Sequence, residues 1–334
     1  MTKLTIIFPL FFSLLFNSSL VHTANHNNTE MNHIIVSQFK NLTRSTKWEL
    51  VKVVKQNFRT FHPQGMVKIG EFFFLTSVET ITKPQKLNPP QNGYDRTPGT
   101  GIGHLYKIDQ NGNLVAQITL GEKTIYHPGG FDYDGEYLWI PVAEYRSNSQ
   151  SIVYRVDPIT LEADKIFHIK DHIGGVVHNT KSGTFHAVNW GSRLFYTWKA
   201  DPSNQHENDI FEPECETTEN GNHYIDYQDC HYIGGQYMLC SGLSNYDVQS
   251  VGTISFGGIE LVDLERHIAI HQIPVNARVR PDLVMTYNPF YFETVDNRLR
   301  FYFMPEDDES NLYIYETITI PVGNKSADIN TCEP

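Results

Sequence analysis

The stretch YHPGGFDYDGEYLWIPVAEYR, residues 126–146, continued by SNSQ at 147–150 and SIVYRV at 151–156, decides how the rest of the chain is read. His127-Pro128-Gly129-Gly130 opens an extended segment, Asp134-Gly135 marks a turn, and 136–142 is rich in strand formers. The chain breaks at Glu144-Tyr145-Arg146 and resumes as a third strand at 151–156. The unit recurs. Residues 50–65, LVKVVKQNFRTFHPQG, align without a gap on 115–130, VAQITLGEKTIYHPGG, and each copy places a Glu 17 residues after its His, Glu79 after His62 and Glu144 after His127. A third copy starts at His172. The turn in YIGGQYML, 232–239, anchors a fourth and puts Asp226 in the His position. A fifth carries Asn288-Pro289 there, with Glu306 in the Glu position.

Each of the first two strand pairs is followed by another strand, a turn and a strand: 104–109 and 114–120 around Asn111-Gly112-Asn113, then 152–156 and 161–169 around 157–160. Strands repeating at about 45–65 residues, with no sustained 3.6-residue apolar period between them, are the mark of a radially repeated sheet. The expected fold is all-β: a single β-propeller of four-stranded antiparallel blades. Five blades are favoured, with six the alternative if 199–225 holds a degenerate unit. The last repeat has only three strands before the chain runs into its tail. Residues 48–58, WELVKVVKQNF, alternate as a strand does and supply the missing outer one, which removes an exposed sheet edge.

The ends and composition fit an exported protein. Met1-Thr2-Lys3, the apolar 4–16 and the small residues ending at Ala24 have the layout of a secretory leader, with 1–23 the expected signal peptide. A polar arm is expected over 24–46, the propeller over 47–322 and a tail over 323–334. No later stretch is apolar for the roughly 20 residues a spanning helix needs. The formal charge of −12, without a Lys/Arg cluster, disfavours nucleic acid and anionic membranes as partners. Asn27, Asn41 and Asn324 stand in Asn-x-Ser/Thr sequons. Cys215, Cys230, Cys240 and Cys332 contain no Cys-x-x-Cys and point to one or two disulfides in one of three connectivities, Cys215 with Cys332 among the candidate pairs.

The segments His62-Pro-Gln-Gly, His127-Pro-Gly-Gly-Phe-Asp, Val188-Asn-Trp-Gly-Ser-Arg and Tyr227-Gln-Asp-Cys resemble a family of secreted or exported β-propellers whose domain has no assigned function. The resemblance covers most of 48–320. It is looser, and architectural only, towards propeller lactonases and strictosidine-synthase-like proteins. It implies the fold and carries over no catalytic residue.

Blade topology locates the candidate site. Inner strands begin, and second strands end, on one face of the disc. His62, His127, His172 and Asp226 are therefore expected to ring one mouth of the central channel, with Asn288 near them. Glu79, Glu144, Trp190, Ser241 and Glu306 form a wider ring, beneath two long connections at 80–103 and 242–258. Three imidazoles and a carboxylate converging on an axis suit one divalent metal, Zn, Fe or Mn before Ca, with Glu79 or Glu144 as general base. The competing reading makes the histidines inter-blade caps that donate to neighbouring carbonyls. Tyr145, Arg146, Trp190, Arg193 and Glu306 are the candidate substrate contacts. His178 and His186 fall on the opposite face as ordinary strand residues, and 307–309 reads as a solvated acidic turn. No Gly-x-Ser-x-Gly elbow, P-loop or dinucleotide fingerprint occurs. Three functions fit: a metal-dependent hydrolase or lyase on a small or sugar-like substrate, a glycan or small-ligand binding propeller, and a protein-interaction scaffold.

Overall fold

The computed structural model describes residues 34–199 and 210–318. Five antiparallel sheets form a ring. From the axis outwards, blade 1 is His62–Ile69, Phe72–Thr82, Thr100–Ile108 and Leu114–Leu120. Blade 2 is Ile125–Pro128, Leu138–Glu144, Ser151–Val156 and Ala163–Ile169, with Asp132–Tyr133 beside its second strand. Blade 3 is Ile173–Asn179, Thr184–Asn189, Leu194–Lys199 and Glu216–Glu219. Blade 4 is Asp226–Tyr232, Tyr237–Val248, Gly252–Asp263 and Ile268–Val275. Blade 5 takes Phe290–Val295, Arg298–Phe303 and Asn311–Ile318 from one end of the chain. Its outer strand, Lys47–Lys55, comes from the other, running antiparallel from Lys47 opposite Ile318 to Lys55 opposite Asn311. The ring is closed as the repeats require, with five blades. Glu216–Glu219 completes blade 3, and Phe211 adds a short parallel bridge to Phe167 of blade 2.

Burial explains the sequence pattern. Second strands lie between neighbouring blades, so both of their faces are covered: every residue of Leu138–Glu144 is buried, and LWIPVAE reads as a nearly continuous apolar run. The outer strand Leu114–Leu120 faces solvent and mixes exposed with half-buried positions until it ends on the buried Leu120. The core is divided into layers between blades. Val67, Phe74 and Leu105 of blade 1 meet Leu138, Ile140 and Ile152 of blade 2. Trp139 and Phe167 of blade 2 meet Phe185 and Trp198 of blade 3. Each such side chain contributes about 1.5–3 kcal/mol when fully buried.

Two expectations about connections change. The arm is not loose throughout: residues 34–40 are helical, and Ile35, Val36, Phe39 and Leu42 are buried against blades 4 and 5. Phe39→Ala should therefore cost about 3–5 kcal/mol in a denaturant titration, because it empties a fully buried site. A loss below 1 kcal/mol would mean the helix is dispensable. The long connections are hairpins. Residues 242–258 continue the middle strands of blade 4 with Leu243 opposite Gly257 and Val248 opposite Gly252. In 80–103, Lys86–Gln91 pairs with Tyr94–Arg96 as a separate two-stranded sheet.

Cys230 and Cys240, directly opposed on the first two strands of blade 4, form a disulfide. Cys215 has no disulfide partner among the described residues. The leader at 1–23, Asn27, Asn324, Cys332 and the 323–334 tail lie outside them. Asn41 is exposed just after the 34–40 helix. No helix among the described residues is long and apolar enough to cross a membrane.

The axis is closed by backbone. Gly130 N donates to Gly174 O at 2.8 Å, and Val176 N donates to Gly130 O at 3.3 Å, joining the inner strands of blades 2 and 3. A Cβ on Gly130 would lie 2.8 Å from Asp229 Cα of blade 4, and one on Gly129 would lie 2.3 Å from Gly174 O. The paired glycines of the His-Pro-Gly-Gly motif are thus needed for close approach across the ring. Beside them sits a buried polar knot. Asp229 accepts from Met66 N of blade 1 at 2.9 Å and from Phe131 N of blade 2 at 3.2 Å. Asp132 of blade 2 accepts from Tyr232 N of blade 4 at 3.1 Å. His231 lies 3.6 Å from each carboxylate and donates through Nε2 to Phe290 O of blade 5 at 2.9 Å. Burial alone would strip its proton, but Asp229 and Asp132 outweigh that and hold its pKa at about 10.

Candidate functional site

The repeat alignment places the inner-strand starts correctly. His62 and Asp226 begin their strands, His127 lies in Ile125–Pro128, and His172 directly precedes Ile173. The rings of His127 and His172 come together, with centroids 5.7 Å apart. His62, His172 and Asp226 each carry a hydrogen bond to another neighbour. His62 Nδ1 donates to Asp307 at 2.7 Å, and Asp226 accepts from Arg193 Nη2 at 2.9 Å. His172 Nδ1 donates to Glu144 O of the neighbouring blade at 2.7 Å, the inter-blade cap that competed with metal binding. Among the described residues no three His, Cys, Asp or Glu side chains are grouped so as to hold a metal ion. His62, His172 and Asp226 each carry one of these bonds, to Asp307, Glu144 O and Arg193, and within the expected ring the imidazoles of His127 and His172 meet.

Burial, reinforced by His172 and His62, drives the His127 pKa well below the ordinary histidine value. Burial likewise lowers that of His172 to about 4. Both imidazoles are uncharged at neutral pH. Nδ1 of His127 is buried and has no hydrogen-bond partner outside its own residue.

The two carboxylates proposed as bases are engaged. Glu144 accepts from Arg146 Nε at 2.6 Å, Thr124 Oγ1 at 2.7 Å and Gln150 Nε2 at 3.0 Å. Burial opposes its ionisation, but the bonds from Gln150, Thr124 and Arg146 win and hold its pKa below the usual range. Glu79 meets His104 Nε2 at 3.2 Å, and His104 is stacked between Phe61 and Tyr106. Glu306 accepts from the backbone and side-chain nitrogens of Asn311, which fixes a turn.

Of the expected substrate contacts, Tyr145 and Trp190 do converge. Their rings are 5.8 Å apart, Tyr145 is 4.2 Å from His127, and Trp190 is 4.8 Å from His172. Both are half-buried. Arg193 is held by Gly191 O, Asn222 O and Asp226. Arg146, besides pairing with Glu144, lies 3.5 Å from the ring centre of Tyr94. Two residues that the repeats did not single out complete the mouth. Arg96, on the 86–96 hairpin of blade 1, lies 5.0 Å from the Trp190 ring while paired with Asp95 through Nη2 at 2.7 Å. Tyr287 stands 6.2 Å from His62. Arg96 sits outside the repeated unit, where repeat matching had no way to find it, whereas Tyr287 precedes Asn288 in the fifth copy as Tyr126 precedes His127 in the second. Asp307, read as part of a solvated turn, instead bonds His62 and Asn288.

His178 and His186 are strand residues, as expected. His178 bonds Asp134 and stacks on Phe185, and His186 is buried beside His267.

The solved structures similar to this one include three at low identity. A luciferin-regenerating enzyme is 10% identical, with 82% of this chain and 95% of that one covered and a TM-score of 0.45. Regucalcin, a calcium-binding protein from Agrobacterium tumefaciens, is 9% identical, with 80% and 95% covered and a TM-score of 0.41. The PQQ-bound aldose sugar dehydrogenase from Streptomyces coelicolor is 9% identical, with 82% and 99% covered and a TM-score of 0.40. Among curated proteins none matches the chain. Residues 26–321 match a family of unknown function, DUF6454, and the chain belongs to that family.

Proposed function

We propose that this propeller is a binding module for a small, neutral, polyhydroxylated ring, a mono- or oligosaccharide, held at the mouth by Tyr145 and Trp190. The observation that carries the reading is the match of charges around two half-buried aromatic rings. Arg96 is paired with Asp95, Arg146 with Glu144 and Arg193 with Asp226, Asp307 is hydrogen-bonded by His62, and His127 and His172 are uncharged. A charged ligand would have to break one of these pairs. A neutral ring keeps all of them, lays its C–H face on an aromatic surface and offers hydroxyls to imidazole nitrogens. General-base catalysis by Glu79 or Glu144 fits less well, because each carboxylate is already bonded. The Cys230–Cys240 disulfide supports an oxidising, exported setting, which the expected leader would provide.

The test is calorimetry of the purified protein against neutral methyl glycosides and short oligosaccharides. Trp190→Ala and Tyr145→Ala should each weaken binding at least about tenfold, equivalent to about 1.4 kcal/mol. Unchanged affinity in both variants, or conversion of the sugar to product, would replace this reading with the scaffold or the enzyme respectively. Elemental analysis should find no stoichiometric Zn, Fe or Mn, and one equivalent that is lost on His127→Ala would restore the metal site.

A further inference from the structure

We propose that the hairpin 86–96 is a gate over His127, and that Nδ1 of His127 is the atom that hydrogen-bonds a hydroxyl of the ligand. The inference rests on the mouth being the ligand site. His127 is only 6% exposed, and an unmet polar atom at that depth costs about 1–3 kcal/mol. A hydroxyl reaching it would recover that cost. An uncharged imidazole nitrogen can accept from an O–H or donate to its oxygen, depending on tautomer, so a sugar hydroxyl suits it either way.

Reaching His127 requires the hairpin to move. It leaves blade 1 and sets Tyr94 against Arg146 of blade 2 and Arg96 over Trp190, which follows the second strand of blade 3. Tyr145, whose ring is tilted against His127 at 4.2 Å, is next to Arg146 in the chain and 5.8 Å from the Trp190 ring, between the two contacts of the hairpin. The two hairpin strands pair with each other and with no blade. Its first strand is almost wholly exposed, so little apolar surface opposes its lifting. The stem is closed by Thr97 N donating to Gln85 O and Gln85 N donating to Thr97 Oγ1, both at 2.9 Å. Immediately after it, Gly99 has φ +67°, and a Cβ there would lie 2.4 Å from Thr82 O, so this pivot is built for glycine. The tie at the pivot is the Tyr126 hydroxyl, which donates to Pro98 O at 2.7 Å.

Diethyl pyrocarbonate acylates accessible neutral imidazoles, and peptide mass spectrometry reads each site separately. In the full chain His127 should label slowly. Tyr126→Phe, which removes the tie to Pro98, and Arg96→Gln, which removes the cation over Trp190, should each speed His127 labelling several-fold. Exposed His223 and axial His231 should keep their wild-type rates. Equal His127 rates in wild type and both variants, or a rise that appears only together with His231, would overturn the gate. Methyl glycosides that bind in calorimetry should protect His127 in the wild type. Binding without protection would overturn the hydroxyl contact and leave the mouth site standing, whereas a panel that neither binds nor protects overturns both. The gate is read from the variants without any ligand, so its failure is separable from that of the site.

Discussion

His231→Leu is expected to cost about 3–5 kcal/mol, a large share of the roughly 5–15 kcal/mol by which an ordinary domain is stable. The side chain is 3% exposed and is the cation between Asp132 and Asp229, which are themselves 4% and 1% exposed. Removing it leaves two buried carboxylates with only backbone N–H groups to offset their charge. Burial has already raised the pKa of both despite His231. The wild type offers a test that does not depend on the variant folding. The folded pKa of His231, about 10, lies above the unfolded value of about 6.5, so the stabilisation is fully present below the latter. It is lost progressively as pH rises through the folded value. The raised carboxylate pKa values act in the same sense, favouring the protonated, acid side. Unfolding free energy should therefore fall between pH 7 and pH 10, by up to about 1.4 kcal/mol per pH unit for one proton. A flat profile across that window would show that His231 is not the charged centre of the knot.

Deletion of residues 47–55 should leave no monomeric folded protein. Lys47–Lys55 is the outer strand of blade 5, and its loss opens the edge of Asn311–Ile318 to solvent and to other chains. It also takes Val54 out of the layer between blades 5 and 1, where it packs among Met66, Tyr302 and Leu312. Val54→Asp is the milder form of the same experiment. An unpaired carboxylate at an 8% exposed position should cost several kcal/mol while leaving the strand in place. Size-exclusion chromatography and thermal melting separate the outcomes. A monodisperse deletion protein that melts cooperatively near the parent temperature would show that the ring does not depend on this closure.

The sequence by itself determined the ring and its closure and favoured five blades over six, and the assembled sheets decided for five. Those features are written in local patterns: strand alternation, turn residues such as Asp134-Gly135, and a repeat that put His62, His127, His172 and Asp226 at equivalent strand starts. Equivalent starts in a radial repeat must lie on one face, so Tyr145 and Trp190 were legible as neighbours of the mouth. The partner of each polar atom was not. Glu144 looked like a free base until Arg146, Thr124 and Gln150 were placed around it, and His172 turned out to spend Nδ1 on a carbonyl of the next blade. Distances across the ring are fixed only when all five blades are assembled. Asp132, in the very stretch that revealed the fold, was therefore not recognised as a partner of His231 and Tyr232 N, about 100 positions later. The 86–96 hairpin and the 34–40 helix lie outside the repeat. Tertiary contacts alone decided that one reaches from blade 1 to Trp190 and that the other buries Phe39 against blades 4 and 5.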